Sequence, residues 1–291
     1  MSSESLEAEL AIRTQARCGE GPVFDADTGL LHWVDVLSGA IHSSDTRSGI
    51  TTTITLPTLV GAALPRRAGG FVAAISEGFV QIAANGTAVR RLNVLGPTER
   101  MNDGKCDATG RLWAGSTDRD FAAGRGRLWV LDSNWNARVI LGGLTLPNGL
   151  GWSPDMQTFY LIDSIERAIY AFDCDLNAPA LTGRRSFHQF GPDEGLPDGL
   201  CVDAAGDVWV AMYGAGHVLK LDRDGSVQLT LSLPVSQPTS CTLEGTGPAD
   251  LWITSARDGL EISDDDPAPD GSLYVVRNLP ASAQRAAVFA G

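Results

Sequence analysis

The sequence has no apolar run of the roughly 20 residues that a membrane helix requires. Its acidic first ten residues also lack the basic and apolar regions of a signal peptide. Positive charge is scarce, because 22 Lys and Arg stand against 35 Asp and Glu, for a net charge of −13. Such a surface repels phosphate backbones and anionic lipid, which argues against nucleic acid and membranes as partners. We therefore predict a cytoplasmic protein, either a monomer or a small homo-oligomer.

The usual catalytic and metal-binding motifs are missing as well. The five cysteines form no C-x-x-C pair, and the four histidines are far apart in the sequence. There is no G-x-S-x-G, H-E-x-x-H, P-loop or EF-hand spacing, and no convincing amphipathic helix. These absences argue against a disulfide framework, a structural zinc site and the common nucleotide-binding folds.

A repeat is present instead. A turn with Asp or Gly, followed by a short β-type run, recurs with spacings of 39 to 49 residues. Its anchor residues are Trp33, Val72, Trp113, Tyr160, Trp209 and Trp252. A second β-type run follows each anchor, and units of this length suit four short strands. The pattern predicts an all-β fold, a six-bladed β-propeller with four-stranded antiparallel blades, in which the four tryptophan anchors are core residues.

The predicted boundaries follow from the first and last repeats. Residues 1–9 are predicted to be an N-terminal tail, and residues 10–291 a single propeller domain. Because the chain ends must share a blade, residues 10–17 and 284–290 are expected to meet and close the ring. The acidic run at residues 263–266 is expected to be a solvated loop, since contiguous Asp side chains cannot all point inward.

Four polar residues share one phase of the repeat. Glu20, Asn102, Asn148 and Asp198 precede their anchors by 11 to 13 residues. At that phase they start the innermost strands, so their side chains should converge at the mouth of the central channel. Carboxylate and amide oxygens gathered in one place favour a hard cation. The alternative is that Asn-Gly and Asp-Gly are plain turn dipeptides, although a turn does not explain Glu20 before Gly-Pro.

Longer strings around these residues resemble a known family, the senescence marker protein/regucalcin/gluconolactonase family. The similarity runs in order along almost the whole chain. Its main strings are Gly19-Glu-Gly-Pro22, Arg100-Met-Asn-Asp-Gly-Lys-Cys-Asp-Ala-Thr-Gly-Arg111, Pro147-Asn-Gly149 and Pro197-Asp-Gly199. The resemblance implies a six-bladed propeller that holds one divalent metal ion at the channel mouth. It also implies hydrolysis of a sugar lactone such as gluconolactone, xylonolactone or arabinonolactone.

The resemblance also implies roles for particular residues. Glu20, Asn148 and Asp198 match the family's metal ligands, and Asp198 matches the proposed general base. Arg100 and Asn102 match residues that hold the substrate.

Asp103 is expected to support this site, by orienting Asn102 or Arg100, without being a ligand itself. One departure concerns a glutamate that contacts the sugar in some members. It is missing here, and Asp118 and Asp120 are the candidates to replace it.

Three functions stay open on these grounds. The first is a metal-dependent sugar lactonase. The second is another hydrolase on this scaffold, for organophosphates or aryl esters, which a more apolar mouth would favour. The third is a non-enzymatic, calcium-binding regulatory propeller. All-oxygen ligation favours Ca, Mg or Mn as the cofactor, with Fe(II) and Zn not excluded.

Overall fold

The computed structural model describes residues 6–261, 263, 266–267 and 269–291. In those ranges the regular secondary structure is entirely β, and no helix is long and apolar enough to cross a membrane. Twenty-four strands form six antiparallel four-stranded sheets, arranged as a six-bladed β-propeller. The predicted fold class is therefore confirmed. Residues 1–5 of the predicted tail, and Asp264 and Asp265 of the acidic run, lie outside the described residues.

Each blade is built from strands that are consecutive in the chain, except where the ring closes. Blade 1 contains β2 (Gly19–Asp25), β3 (Leu30–Asp35), β4 (Ala40–Asp45) and β5 (Thr51–Thr55), and blade 2 contains β6 (Val60–Pro65), β7 (Phe71–Ile75), β8 (Gly78–Ile82) and β9 (Ala88–Asn93). Blade 3 contains β10 (Glu99–Cys106), β11 (Leu112–Asp118), β12 (Gly126–Leu131) and β13 (Ala137–Leu144). Blade 4 contains β14 (Pro147–Trp152), β15 (Thr158–Asp163), β16 (Ala168–Asp175) and β17 (Ala180–Gln189). Blade 5 contains β18 (Leu196–Val202), β19 (Val208–Tyr213), β20 (His217–Leu221) and β21 (Val227–Ser232). Blade 6 contains β22 (Pro238–Glu244), β23 (Ala249–Ser255), β24 (Leu273–Leu279) and β1 (Glu9–Ile12).

The first strands of the blades surround the central channel. β2, β6, β10, β14, β18 and β22 each contact the first strand of both neighbouring blades, which makes a closed inner ring. Every anchor residue lies on the second strand of its blade, so the repeat predicted from the sequence corresponds to one blade. The polar residues of the shared phase lie near the beginnings of four inner strands. The fold therefore brings the predicted site residues to one end of the channel.

The tryptophan anchors pack between the blades. Trp33, Trp113, Trp209 and Trp252 are all but inaccessible to solvent, which confirms the prediction that they are core. Each indole N–H nevertheless has an acceptor, because a buried donor without a partner is costly. Trp113 donates to Asp107 at 2.7 Å, and Trp33 donates to Ser44 at 3.0 Å.

The ring closes through its N-terminal strand. β1 pairs with β24 and so becomes the fourth strand of blade 6. The expectation that the two chain ends share a blade is correct, but the predicted pairing of residues 10–17 with residues 284–290 is wrong. β24 already supplies a complete strand edge, and β1 uses that edge.

The last residues of the chain instead cross the channel end opposite the candidate site. Phe289 is fully buried and bridges to Arg66, while the Gln284 amide donates to the carbonyls of Trp152, Val202 and Asp203. A cavity of about 110 Å³ lies beneath this segment, with Lys105 and Cys201 among its lining residues. The candidate site is thus approached from the other end.

Candidate active site at the inner-strand bulges

The candidate site residues lie at irregularities of the inner strands. All six inner strands lose register with their second strands near their beginnings, for example between Met101 and Gly104, Pro147 and Leu150, and Pro197 and Leu200. Bulges of this kind re-aim side chains and are common beside functional sites. The Asn-Gly and Asp-Gly pairs are therefore parts of bulges inside strands, and the plain-turn alternative is not what the structure shows.

Glycine lets these bulges pack closely. A Cβ atom on Gly199 would lie 2.0 Å from Ser240 Oγ on the next blade, and one on Gly149 would lie 2.5 Å from Leu200 N. Only a residue without a side chain fits at such distances. Asn148 and Asp198 directly precede these glycines. The close packing of the glycines consequently holds Asn148 and Asp198 near each other on adjoining inner strands.

Asn148 and Asp198 are linked directly. The Asn148 amide nitrogen donates to Asp198 Oδ1 and, at 3.1 Å, to the Ser164 hydroxyl. Ser164 in turn donates to the carbonyl of Pro197 at 2.7 Å, so one hydroxyl joins blades 4 and 5 at the site. Because both hydrogens of the amide are used, the Asn148 oxygen is left to accept from, or ligate, another group.

Glu20 completes this cluster from blade 1. It is buried, accepts a hydrogen bond from the Gly21 backbone at 2.7 Å, and its carboxyl group lies close enough to that of Asp198 for each to shift the pKa of the other. Burial is the main cause that raises the pKa of Glu20 well above its usual range, followed by the charges of Asp198 and Asp103. The carboxyl therefore gains from any positive charge placed beside it.

Asp198 is half-buried and faces the channel. The pKa of Asp198 is raised to about 8, mainly because burial removes water from the carboxyl group and secondly because the charge of Asp103 is nearby. Hydrogen bonds with Asn148 and Glu20 act in the opposite direction and lower this pKa. Two carboxyl groups placed this close cannot both ionise cheaply without a counter-charge. A divalent cation would supply that counter-charge, and the oxygen donors of Glu20, Asn148 and Asp198 suit a hard metal ion.

The fourth residue of the shared phase is engaged differently. Asn102 Oδ1 accepts from Arg100 Nη1 at 2.6 Å, while its amide nitrogen donates to the Pro147 carbonyl at 3.1 Å. With its oxygen taken by a guanidinium, Asn102 is not arranged as a cation ligand. Among the described residues no three His, Cys, Asp or Glu side chains gather around a common metal position either. A metal at this site would therefore need the amide oxygen of Asn148.

Arg100 is positioned by the same contacts. It is half-buried, and its Nη1 donates to both the Met101 carbonyl and Asn102. These described hydrogen bonds leave Nε and Nη2 able to donate to a bound molecule. Burial lowers the pKa of Arg100, and the charges of Asp198 and Glu20 partly offset this effect. The guanidinium therefore lies near the carboxyl cluster.

Asp103 differs from its expected role. Its Oδ1 accepts from the Gly104 backbone at 2.6 Å, and the described hydrogen bonds join it to neither Asn102 nor Arg100. Its buried charge instead raises the pKa of Glu20 and of Asp198. The bulge between Met101 and Gly104 interrupts the ordinary alternation of strand side chains. Asp103 Oδ1 lies 3.9 Å from the position of a Cβ on Gly21, the residue after Glu20, so Asp103 faces the carboxyl cluster.

The candidates for the missing glutamate lie at the rim. Asp118 Oδ1 accepts from the Asp120 backbone at 2.9 Å, which is an ordinary turn contact, and the Asp120 side chain is exposed. The next residue, Phe121, lies with its ring centroid 6.0 Å from Arg100 Cζ. The structure therefore places an aromatic ring beside Arg100, at a loop where the sequence predicted a carboxylate.

Sequence reasoning assigned no role to the residues that hold the mouth loops. Asp35 accepts from the backbone of Arg17 and Cys18, just before Glu20, and Asp163 accepts from the backbone of Thr145 and Leu146, just before Asn148. Both aspartates lie two or three residues after an anchor residue. That repeated spacing was the available signal.

Comparison with known proteins shows which family the chain resembles. The profile of the SMP-30/Gluconolactonase/LRE-like region matches residues 18–257, which include every candidate site residue. The chain belongs to this family. Regucalcin of Danio rerio is 35% identical over 265 residues, covering 88% of this chain and 89% of the relative.

Solved structures of similar fold have the same architecture. A calcium-binding protein, regucalcin, from Agrobacterium tumefaciens superposes with a TM-score of 0.89 and is 25% identical, covering 98% of this chain and 97% of that one. A gluconolactonase from Xanthomonas campestris superposes with a TM-score of 0.75 at 20% identity, over 93% of this chain and 89% of that one. That last similarity supports the fold alone.

Proposed function

We propose that this member of the SMP-30/gluconolactonase family is a metal-dependent lactonase that hydrolyses a sugar lactone to the aldonic acid. The observation that carries the proposal is the joining of two clusters at one channel mouth. Glu20, Asn148 and Asp198 form an oxygen-donor set, and the Arg100–Asn102 pair lies beside it. One cluster suits a hard cation, and the other suits a ligand rich in oxygen.

A lactone is a cyclic ester, so its hydrolysis needs a polarised carbonyl, an attacking water and stabilisation of the resulting oxyanion. A divalent cation held by Glu20, Asn148 and Asp198 would supply Lewis-acid polarisation and would lower the pKa of water. Oxygen donors favour Ca, Mg or Mn, and Zn and Fe(II) are the alternatives. Three protein donors leave room for substrate, as in catalytic metal sites.

Asp198 is the proposed general base. Its carboxylate faces the channel and is fixed by Asn148, whose own position depends on Ser164. A cation held beside Asp198 would lower its pKa from the value of about 8 that burial and the charge of Asp103 produce, and would so favour the ionised carboxylate at neutral pH. It can then accept a proton from the attacking water.

Arg100 and Asn102 are the proposed substrate-binding residues. Asn102 holds one guanidinium nitrogen of Arg100, which keeps the planar fork in one orientation. The remaining N–H groups can donate to hydroxyl or ring oxygens of a lactone. A preordered donor loses less conformational entropy on binding, and it positions the ester for attack.

The test is hydrolysis of a panel of aldono-1,4- and 1,5-lactones, in which the acid released by ring opening is measured over time. Dialysis against EDTA should abolish turnover, and one divalent ion of a panel of Ca, Mg, Mn, Zn and Fe(II) should restore it. Full activity in protein shown to be metal-free by elemental analysis would falsify metal dependence. The panel also serves to identify the preferred sugar and metal.

A second candidate function has its own support. Relatives carry the name regucalcin, and one structural neighbour is described as a calcium-binding protein. Calcium binding with no turnover of any lactone, under any of the metals tested, would favour a regulatory role over catalysis.

A further inference from the structure

The loop between β11 and β12 borders the candidate site. Glu99 pairs with Asp118, so the end of β11 lies beside the beginning of β10, where Arg100 and Asn102 are found. Residues 119–125 follow β11 at that point, and all of them are exposed to solvent. This loop is therefore part of the rim through which a substrate would reach Arg100.

Phe121 has an unusual conformation on this loop. Its φ angle is +56°, in the left-handed region that glycine, asparagine and aspartate adopt readily and that bulky residues rarely adopt. The turn is closed by a hydrogen bond from the Phe121 backbone to the Asp118 carbonyl at 3.0 Å. A smaller or polar residue would make the same turn with less strain, so the presence of an aromatic side chain needs a further reason.

Core packing does not supply that reason. Trp135 and Met156 have the same backbone conformation, but their side chains pack into hydrophobic clusters of the core. Phe121 is 41% exposed and belongs to none of the described core clusters. Its ring instead lies near the Arg100 guanidinium, which is placed to bind lactone oxygens.

A second exposed apolar side chain lies on the neighbouring blade. Ile165 is 43% exposed and directly follows Ser164, the residue that donates to Pro197 and accepts from Asn148. It occupies the β15–β16 turn, which is at the same end of its blade as the loop of Phe121. Exposed apolar side chains therefore lie at the mouth end of both blade 3 and blade 4.

We propose that Phe121 and Ile165 form an apolar rim that binds an alkyl or aryl substituent of a lactone substrate. This inference rests on the proposed lactonase function and extends its substrate class beyond fully hydroxylated lactones. Arg100 would bind the oxygens of the ring, and the substituent would leave the ring toward the two apolar side chains. Removing its methylene groups from water against these side chains would add to binding.

The experiment compares kcat/KM for δ-valerolactone, δ-decalactone and gluconolactone in the metal-loaded protein. The wild type should prefer the pentyl-bearing δ-decalactone over δ-valerolactone. Phe121→Asn keeps the left-handed turn but removes the ring, and it should reduce that preference about three- to tenfold. Phe121→Leu should retain most of it, and gluconolactone turnover should change by less than about twofold.

A matched control is available on the same blade. Val139 is 44% exposed on the outer strand β13, so Val139→Asn removes a similar apolar surface away from the mouth. It should leave the substrate preference unchanged, and thermal melts check that each variant is folded.

An unchanged preference in Phe121→Asn would overturn the apolar rim while leaving the lactonase intact. Failure of folded, metal-loaded wild type to hydrolyse any lactone would overturn the lactonase itself, and this proposal with it.

Discussion

At the scale of single residues, Asn148 and Asp198 occupy equivalent bulges of adjacent blades but differ in charge. Asn-Gly and Asp-Gly fit the same backbone geometry, so the bulge alone does not require a carboxylate at residue 198. A carboxylate beside Glu20 is costly, because burial and neighbouring charge raise its pKa to about 8. The cost is understandable if the carboxylate holds a cation and accepts a proton.

Asp198→Asn tests this directly, since it keeps the size of the side chain and removes its charge. We expect a folded protein with weakened metal affinity and with kcat reduced about 10²- to 10⁴-fold, as for loss of a general base. Calorimetric metal titration and steady-state kinetics measure the two effects. Asp224→Asn, in an exposed turn, is the control and should behave as the wild type. Wild-type kcat in Asp198→Asn at saturating metal would remove Asp198 from both roles.

The sequence was sufficient to locate some of these residues but not others. Glu20, Asn148 and Asp198 share one phase of a repeat, so symmetry alone predicted that they would meet. The engagement of the Asn102 oxygen by Arg100 depends on rotamers, which carry no repeat signal. Phe121 lies in a loop outside the repeat, and nothing in its neighbours along the chain predicts that its ring faces Arg100.

At the scale of elements, the bulges and their glycines bring the inner strands together. Gly199 has a negative φ angle, which any residue can adopt, so the backbone conformation does not require glycine there. Glycine is required because the strand packs closely against Ser240 on blade 6. The repeat predicted which strands line the channel because its anchor residues all lie on second strands. It could not predict the pairing of β1 with β24, because closing partners lie at opposite ends of the chain.

Gly199→Ala should therefore disturb both stability and the site. Its new Cβ would lie 2.0 Å from Ser240 Oγ and 2.7 Å from Ser240 Cα, so the inner strands of blades 5 and 6 must separate. We expect destabilisation of about 1–3 kcal/mol, the range typical of overpacking, measured by urea unfolding. Metal affinity should fall as well, because Asp198 is the adjacent residue.

The control for that substitution is Gly142→Ala. A Cβ on Gly142 meets nothing within 4 Å, and its φ is not in the left-handed region. Its stability should match or slightly exceed that of the wild type. Equal stabilities of Gly199→Ala and Gly142→Ala would show that the inner ring yields more easily than the structure indicates.

At the scale of the whole molecule, the ring holds charges of one sign at its channel mouth. Glu20, Asp103 and Asp198 come from three different blades, and burial raises the pKa of each. The closed ring prevents these strands from moving apart to relieve the repulsion. Metal-free stability should therefore depend on pH in the direction opposite to that of ordinary salt-bridged carboxylates.

The sign follows from proton binding. An unfolded Asp ionises near pH 4, whereas folded Asp198 keeps its proton to about pH 8, so between these values the folded state binds more protons. This contribution to stability is complete below pH 4 and is lost as pH rises to about 8. His32 and His42 act in the opposite direction, because burial lowers the pKa of each.

Comparison of wild type with Asp198→Asn separates these contributions, since both proteins contain the two histidines. In EDTA, we expect the free energy of unfolding of wild type, relative to Asp198→Asn, to fall between pH 5 and pH 8. Added divalent metal should reverse the trend, because ligation favours the ionised carboxyl and stabilises the folded state by RT ln(1 + [L]/Kd). Urea unfolding at several pH values measures both effects.

A difference between the two proteins that stays constant from pH 5 to pH 8 in EDTA would mean that Asp198 is already ionised in the metal-free fold. The carboxyl cluster would then have some other source of positive charge, and the argument for a cation at this mouth would lose its electrostatic basis.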